Sequence, residues 1–295
     1  MRFVTFSAQG INNRPGVLDA AGQFIVDLEA EGIASDLTAL IEQGGKGLEA
    51  VRQALMQPTR AVPLAQAALG APIPRPRRNI MCVGKNYFEH SKEFEKSGFD
   101  STSGGQAVPD APVIFTKAPS TVAAPGATIP SHLDPTRSTD YEGELGVVIG
   151  KGGRGIAKAD AYGHVFGYVI INDVTARKLQ NVHKQWFLGK SVDGYCPMGP
   201  YLVTADEVGD VTQLKLTTDV NGERRQEAVV SDLIFDIPTI VETISRTMTL
   251  EPGDIIATGT PAGVGIGFTP PRFLKKGDVV RIAITGLGVL ENPVA

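Results

Sequence analysis

The sequence predicts a strand-dominated α+β fold. Three observations predict it. Many short apolar runs are bounded by Gly, Pro or Asn-Gly turns. Stretches with helical spacing are few, and strands do not alternate regularly with helices as they would in a doubly wound parallel sheet. The 295-residue length has room for one large domain, or for a catalytic domain with a smaller companion.

Near the N-terminus, Phe3–Phe6, Gly16–Leu18 and Gln23–Leu28 read as strands. From Asp36 to Met56 the apolar residues Leu37, Leu40, Ile41, Leu48, Val51 and Leu55 recur near helical spacing. Gly44 and Gly45 divide that stretch into two helices. Residues 71–78 form a proline-punctuated linker, extended because each proline disfavours helix in the residue before it. A small N-terminal α+β domain over 1–70 and a catalytic domain over 79–295 follow from that boundary.

Beyond the linker the predicted strands are Ile80–Val83, Val113–Thr116, Tyr141–Ile149, Val165–Asn172, Tyr201–Thr204, Lys215–Val220, Asp254–Ala257 and Val279–Ile284. Helices are expected over Tyr87–Phe94, Val174–Gln180 and Ile237–Met248. The Gly/Ser/Pro-rich stretch from Ser97 to Pro112 is a long loop, and with the helix before it makes a lid at about 87–112. Trp186, Phe187 and Leu188 read as packing residues.

Bulk properties exclude several functions. A net charge of -4 offers no electrostatic attraction to nucleic acid or to an anionic membrane. Cys82 and Cys196 stand far apart, which rules out a disulfide scaffold and a cysteine zinc site and suits a reducing cytoplasm. No apolar run approaches bilayer length, and the first residues read as a strand and not as a signal peptide. A soluble cytoplasmic protein is expected.

Chemistry concentrates in Asp140-Tyr141-Glu142-Gly143-Glu144-Leu145. In a strand, alternation places Glu142 and Glu144 on one face, and two like charges there carry a cost that an oxygen-seeking cation removes. Asp173, where Val169–Asn172 runs out into a polar turn, is the third ligand. All-oxygen ligation points to Mg²⁺ or Mn²⁺, with Ca²⁺ as a possible substitute, and three carboxylates leave positions for substrate. On spacing alone, the solvated face of an exposed strand is the better reading of the two glutamates.

The surroundings change that balance. The carboxylate segment, Asp173-Val174-Thr175-Ala176-Arg177-Lys178-Leu179-Gln180, and Gly84-Lys85-Asn86-Tyr87 with His90 together resemble the fumarylacetoacetate hydrolase superfamily. Gly189-Lys190-Ser191 with Asp193, and Gly259-Thr260-Pro261-Ala262-Gly263-Val264-Gly265, add to the resemblance, and the motifs occur in the family's order from about Asn79 onward. The resemblance extends to its acylpyruvase and 2-hydroxyhepta-2,4-diene-1,7-dioate isomerase-like branch. It implies a β-roll catalytic domain, a bound Mg²⁺ or Mn²⁺, a homodimer and a substrate carrying a 2-oxo acid unit. It makes Glu142, Glu144 and Asp173 the metal ligands, and Arg177, Gln180, Thr260 and Tyr87 substrate contacts, with Lys190 completing the site. The offsets from Asp173 to Arg177 and Gln180 suit one face of a short helix.

A 2-oxo acid chelates a cation, which holds the charge that develops when the neighbouring C–C bond is cleaved. His90 and Glu93, three apart in a helical stretch, form the pair that would activate water. An imidazole oriented by a carboxylate is a common general base near neutral pH. The expected reaction is hydrolysis of an acylpyruvate-like or fumarylpyruvate-like 2,4-dioxo acid. Its rivals are decarboxylation or isomerisation of a 2-oxo or 2-hydroxymuconate-type dicarboxylate in aromatic catabolism, and a non-catalytic metal-stabilised binding protein. Gly189-Lys190-Ser191 is no phosphate loop, because Lys184 stands where glycine is required.

Overall fold

The first alternating runs fold as antiparallel strands β1 (Arg2–Ala8), β2 (Ile11–Leu18) and β3 (Phe24–Asp27). This is a computed structural model, and it describes residues 1–98 and 108–295. Helices α1 (Leu37–Glu42) and α2 (Gly45–Met56) come next. Asp36 caps α1 by accepting from the Ala39 amide at 2.8 Å, and Gly44, at φ +56°, breaks the chain between the two helices. Strands β4 (Ala61–Pro63) and β5 (Ala68–Gly70) return the chain to the sheet before the 71–78 stretch.

Then come β6 (Ile80–Gly84), α3 (Phe88–Lys96), β7 (Val113–Lys117) and β8 (Val122–Ala123). The next strands are β9 (Thr139–Asp140), β10 (Gly143–Ile149), β11 (Val165–Asn172) and β12 (Thr175–Ala176). Short helices α4 (Arg177–Val182) and α5 (Phe187–Lys190) lead to β13 (Cys196–Thr204) and α6 (Ala205–Val208). Hairpin β14 (Lys215–Val220)–β15 (Glu223–Val229) is followed by α7 (Ile237–Ser245), and β16 (Ile255–Ala257) by hairpin β17 (Val279–Ile284)–β18 (Gly288–Pro293).

Among the described residues, twelve strands form one sheet, ordered β4-β3-β2-β1-β13-β11-β10-β16-β6-β7, with β5 beside β1 and β8 beside β13. Arg2 lies opposite Val203, so residues 1–70 share this sheet with the rest of the chain. A second, four-stranded sheet runs β15-β14-β17-β18. The central strands are buried on both faces, and alternation decides which core each residue feeds. Leu145, Val147 and Ile149 of β10 pack with Leu216 of β14, Ile282 of β17 and Ile240 and Ile244 of α7. Val148 of β10, with Val169 and Ile171 of β11, meets Leu37, Leu40 and Val51 of the N-terminal helices on the opposite face. Each such fully buried aliphatic side chain contributes roughly 1.5–3 kcal/mol.

Two readings need correction. The stretch Val174–Gln180 is not one helix. Thr175 and Ala176 pair with Asp140 and Thr139, and the helix begins at Arg177. Val174 and Thr175 are β-branched and suit an extended backbone, and the β9 edge offers them hydrogen bonds that a helix start would forgo. Phe187 and Leu188 are 42% and 52% exposed, so of that trio only Trp186 packs in the interior. In the proposed lid the helix is present as α3, while its 99–107 portion lies outside the described residues.

Candidate metal centre and active-site cavity

Strand pairing builds the carboxylate cluster. Antiparallel β10 and β11 place Gly143 opposite Asn172, which brings Glu142, just before β10, beside Asp173, just after β11. The Asp173 amide donates to the Glu142 carbonyl at 2.8 Å, and the Glu142 amide to the Asn172 side chain at 3.1 Å. Gly143 allows this crossing, since a Cβ there would overlap the Thr218 hydroxyl. Oxygens of Glu142, Glu144 and Asp173 lie within 4.8 Å of one another, and all three residues are buried.

Three buried cations surround the cluster. The Lys190 ammonium reaches Glu142 Oε2 at 2.7 Å and Asp173 Oδ2 at 2.8 Å. Lys117, at the end of β7, lies 2.7 Å from Asp173 Oδ1 and donates to the carbonyls of Val174 and Lys190. Arg177 binds Asp140 through Nε at 2.9 Å and Glu142 through Nη1 at 2.6 Å. Among the described residues, Glu144 accepts a hydrogen bond only from the Gly259 amide, at 2.9 Å.

Burial pushes the Glu142 carboxyl up, but Lys190, Arg177 and His90 outweigh it and bring the group down to about 2. Burial, with Asp173 and Glu142 as like-charged neighbours, holds the Glu144 carboxyl well above the usual carboxylate range. The protein's own cations thus favour the ionised form of Glu142, while Glu144, beside two like-charged neighbours, keeps its proton more tightly until a cation takes that proton's place. A hard-oxygen donor set with a surplus of negative charge fits a divalent cation of the Mg²⁺ or Mn²⁺ kind. Burial lowers Lys190, but Asp173 and Glu142 more than offset it, so its ammonium form is favoured.

A small cavity of about 20 Å³ opens on this cluster. That is room for about one water, so a substrate must displace part of its wall. His90, Arg177, Gln180, Lys190, Thr260 and Lys85 line it together with Glu142 and Glu144. On α3, His90 Nδ1 lies 3.2 Å from Glu93 Oε2, and the Glu93 carboxylate accepts from the Gly263 amide at 3.0 Å. Helix α3 is thereby tied to the Gly259–Gly267 loop. Phe94, Trp186 and Phe115 pack as an aromatic wall beside the dyad.

The structure gathers most of the expected residues and separates one. Thr260 reaches the cavity, but its hydroxyl already donates to Gly143 and accepts from Gln226. Among the described residues, Arg177 Nη2 and Gln180 Oε1 are buried without hydrogen-bond partners, which leaves them available to a ligand. Tyr87 is buried, its backbone bridges to Leu233, and it does not line the cavity. Burial, with Glu144 next, raises its phenol further above its ordinary range. Two residues that sequence reasoning missed belong to the site. Lys117 ends the apolar strand β7 and is itself buried, and a lysine closing an apolar run was the available signal. Asp140 holds Arg177 while accepting from the amides of Gly265 and Ile266 at 2.7 and 3.1 Å. A wider groove of about 1270 Å³, lined by Arg137, Arg225, Phe268 and Arg272 among others, lies elsewhere and contains no comparable carboxylate trio.

The family description "Fumarylacetoacetate (FAA) hydrolase C-terminal" matches residues 79–295. The oxaloacetate tautomerase YisK of Bacillus subtilis is 53% identical over 232 residues, covering 78% of this chain and 74% of that protein. A fumarylacetoacetate hydrolase from the psychrophile Exiguobacterium antarcticum is 42% identical and superposes with a TM-score of 0.83, over 100% of this chain and 99% of its own. The maleylpyruvate hydrolase of Sphingobium sp. SYK-6, solved with manganese(II) and pyruvate, is 32% identical with a TM-score of 0.79 over the same shares. In fold and in sequence, the chain belongs to the fumarylacetoacetate hydrolase family.

Proposed function

We propose that this enzyme interconverts the keto and enol forms of a small 2-oxo dicarboxylate, with oxaloacetate as the first candidate. The carrying observation is that His90, its Nδ1 3.2 Å from Glu93, lines one cavity with Glu142, Glu144, Arg177 and Lys190. A divalent cation held by Glu142, Glu144 and Asp173 would supply Lewis acidity for a 2-oxo group. The 53% identity to an oxaloacetate tautomerase supports the choice of substrate.

The chain's own residues divide the remaining work. Arg177 Nη2 offers a charge-assisted hydrogen bond to a substrate carboxylate, and Gln180 Oε1 accepts from an enol hydroxyl. Lys190 adds positive charge where the oxyanion develops. With Nδ1 turned to Glu93, His90 has Nε2 to take a C3 proton from the keto form. A proton returned to the 2-oxo oxygen completes the change: one C–H bond is broken, one O–H bond is formed, and no atom is lost.

Hydrolysis is the second reading, and the same dyad favours it. His90 could instead take a proton from water as the water attacks the C4 carbonyl of an acylpyruvate-like or fumarylpyruvate-like acid. Cleavage of C3–C4 would then leave a carboxylic acid and the enolate of pyruvate.

A panel of oxaloacetate, acetylpyruvate, fumarylpyruvate and a 2-hydroxymuconate decides between them. Enol absorbance, pyruvate release and CO₂ release are followed with Mg²⁺ or Mn²⁺ present. Fast enol–keto relaxation of oxaloacetate without stoichiometric pyruvate supports tautomerisation. Pyruvate released from a 2,4-dioxo acid, with no acceleration of oxaloacetate relaxation, would replace it with hydrolysis.

A further inference from the structure

We infer that Gln226, which does not line the cavity, is a positioning residue: it fixes the strand carrying Glu142 and Glu144 against the loop carrying Thr260. This rests on the divalent-metal reading of the carboxylate trio and is independent of which 2-oxo acid is turned over.

Backbone pairing shows why a side chain is needed here. The ladder between β16 and β10 ends with Ala257 opposite Gly146. Past that point the Thr258 amide and hydroxyl both donate to the Leu145 carbonyl at 3.0 Å, and the Gly259 amide turns to Glu144 at 2.9 Å. Gly143 stands between the two glutamates, beyond the reach of the β16 ladder and with no side chain of its own to anchor it. Its amide and carbonyl are buried, and such groups cost free energy when left without partners.

Gln226 meets that need from the second sheet. It is buried on β15, opposite Thr218 of β14. Its Oε1 accepts from the Gly143 amide at 3.0 Å, while its Nε2 donates to the Thr260 hydroxyl and to the Pro261 carbonyl, each at 2.7 Å. The Thr260 hydroxyl donates in turn to the Gly143 carbonyl at 2.9 Å. Gly143, Gln226 and Thr260 thus close a hydrogen-bonded ring. The Gln226 amide has one orientation only, because Gly143 presents a donor to it and Pro261 an acceptor. That orientation also sets the Thr260 hydroxyl, whose single hydrogen goes to Gly143 once Gln226 donates to its oxygen.

The ring therefore joins two sheets at the site. It grips β10 between two metal ligands. It also grips the loop whose Gly259 amide holds Glu144 and whose Gly263 amide holds Glu93. The placing of both glutamates relative to Thr260, on the cavity wall, depends on it.

The test reads Mn²⁺ binding to the full-length protein by electron paramagnetic resonance, below the melting temperature of every variant. Gln226→Met keeps the length of the side chain and removes all three contacts. It should weaken Mn²⁺ binding by about ten- to a hundredfold, the usual cost of losing a partner that orients metal ligands, and broaden the bound-Mn²⁺ spectrum. Thr260→Val should weaken Mn²⁺ binding as well, and Thr260→Ser, which keeps the hydroxyl, should retain it. The double variant Gln226→Met, Thr260→Val should lose less than the product of the two single losses, because both substitutions open one ring. A Gln226→Met protein that melts earlier yet binds Mn²⁺ as the wild type does has lost a merely structural amide, and overturns the assignment. Single losses that multiply in the double variant overturn it too. If Gln226→Met does not fold, the Thr260 pair decides, and equal Mn²⁺ affinity in Thr260→Val and Thr260→Ser overturns the ring. If the wild type binds no Mn²⁺, the metal reading fails, and this inference fails with it.

Discussion

Glu142 and Glu144 stand two residues apart and are held in opposite electrostatic states, which makes the site's pH behaviour predictable. Glu142 lies below its ordinary value, at about 2, so its ion pairs stabilise the fold above the ordinary 4.5 and are lost as pH falls through about 2. Glu144 is raised, so its contribution is complete below the ordinary range and is lost as pH rises through the raised value. A bound cation replaces the Glu144 proton and removes that loss. The metal-free protein should therefore melt at lower temperature as pH rises, and Mn²⁺ should stabilise it more at about pH 8 than at about pH 6. Scanning calorimetry with and without chelator tests this, and a metal-induced shift independent of pH would contradict it. Lys117→Met leaves Asp173 short of a buried partner and should cost about 3–5 kcal/mol in chemical denaturation. A cost under about 1 kcal/mol, the range of an exposed pair, would contradict the buried ion-pair assignment. Sequence spacing placed the metal ligands because alternation in a strand is local. Lys117 and Asp140 escaped it because their partners, Asp173 and Arg177, lie 56 and 37 residues away along the chain.

At the scale of elements, α3 and the Gly259–Gly267 loop work as a unit. A Cβ on Gly267 would overlap the Glu93 carboxylate, and Gly263, at φ +102°, has the Arg225 carbonyl where a Cβ would stand. Gly267→Ala should therefore displace Glu93 and release His90 from its set orientation. Turnover should fall by about a hundredfold, the lower end of the roughly 10²–10⁴-fold that a positioned general base contributes, while metal affinity changes little. Parallel measurement of kcat and of Mn²⁺ binding checks this, and joint loss of both would show that the whole site had collapsed. The spacing of His90 and Glu93 was legible because both sit on one helix. The start of α4 was not, because the β9 edge that captures Thr175 and Ala176 is contributed from more than thirty residues upstream.

At the scale of the molecule, the strands of residues 1–70 extend the long sheet through β1 and β13, and α1 and α2 cover one of its faces. A protein lacking residues 1–70 would expose β13 as an edge and uncover Val148, Val169 and Ile171. It should lose its cooperative melt and bind a hydrophobic dye, whereas a sharp transition would show that the remainder folds alone. Strand content and class were readable from short apolar runs between turn residues. The pairing of β1 with β13 was not, since it joins positions two hundred residues apart and leaves no local pattern. Among the described residues no helix is long and apolar enough to cross a membrane. A homodimer remains our proposal for the assembly.

The most direct test of the account is the rate of oxaloacetate enol–keto relaxation during metal titration of exhaustively chelated enzyme, in the wild type and in Glu144→Gln. We predict no acceleration without metal, recovery in proportion to Mg²⁺ or Mn²⁺ bound in the wild type, and recovery only at far higher metal concentration in Glu144→Gln. Full acceleration by the chelated wild-type enzyme would contradict a reaction centred on Glu142, Glu144 and Asp173.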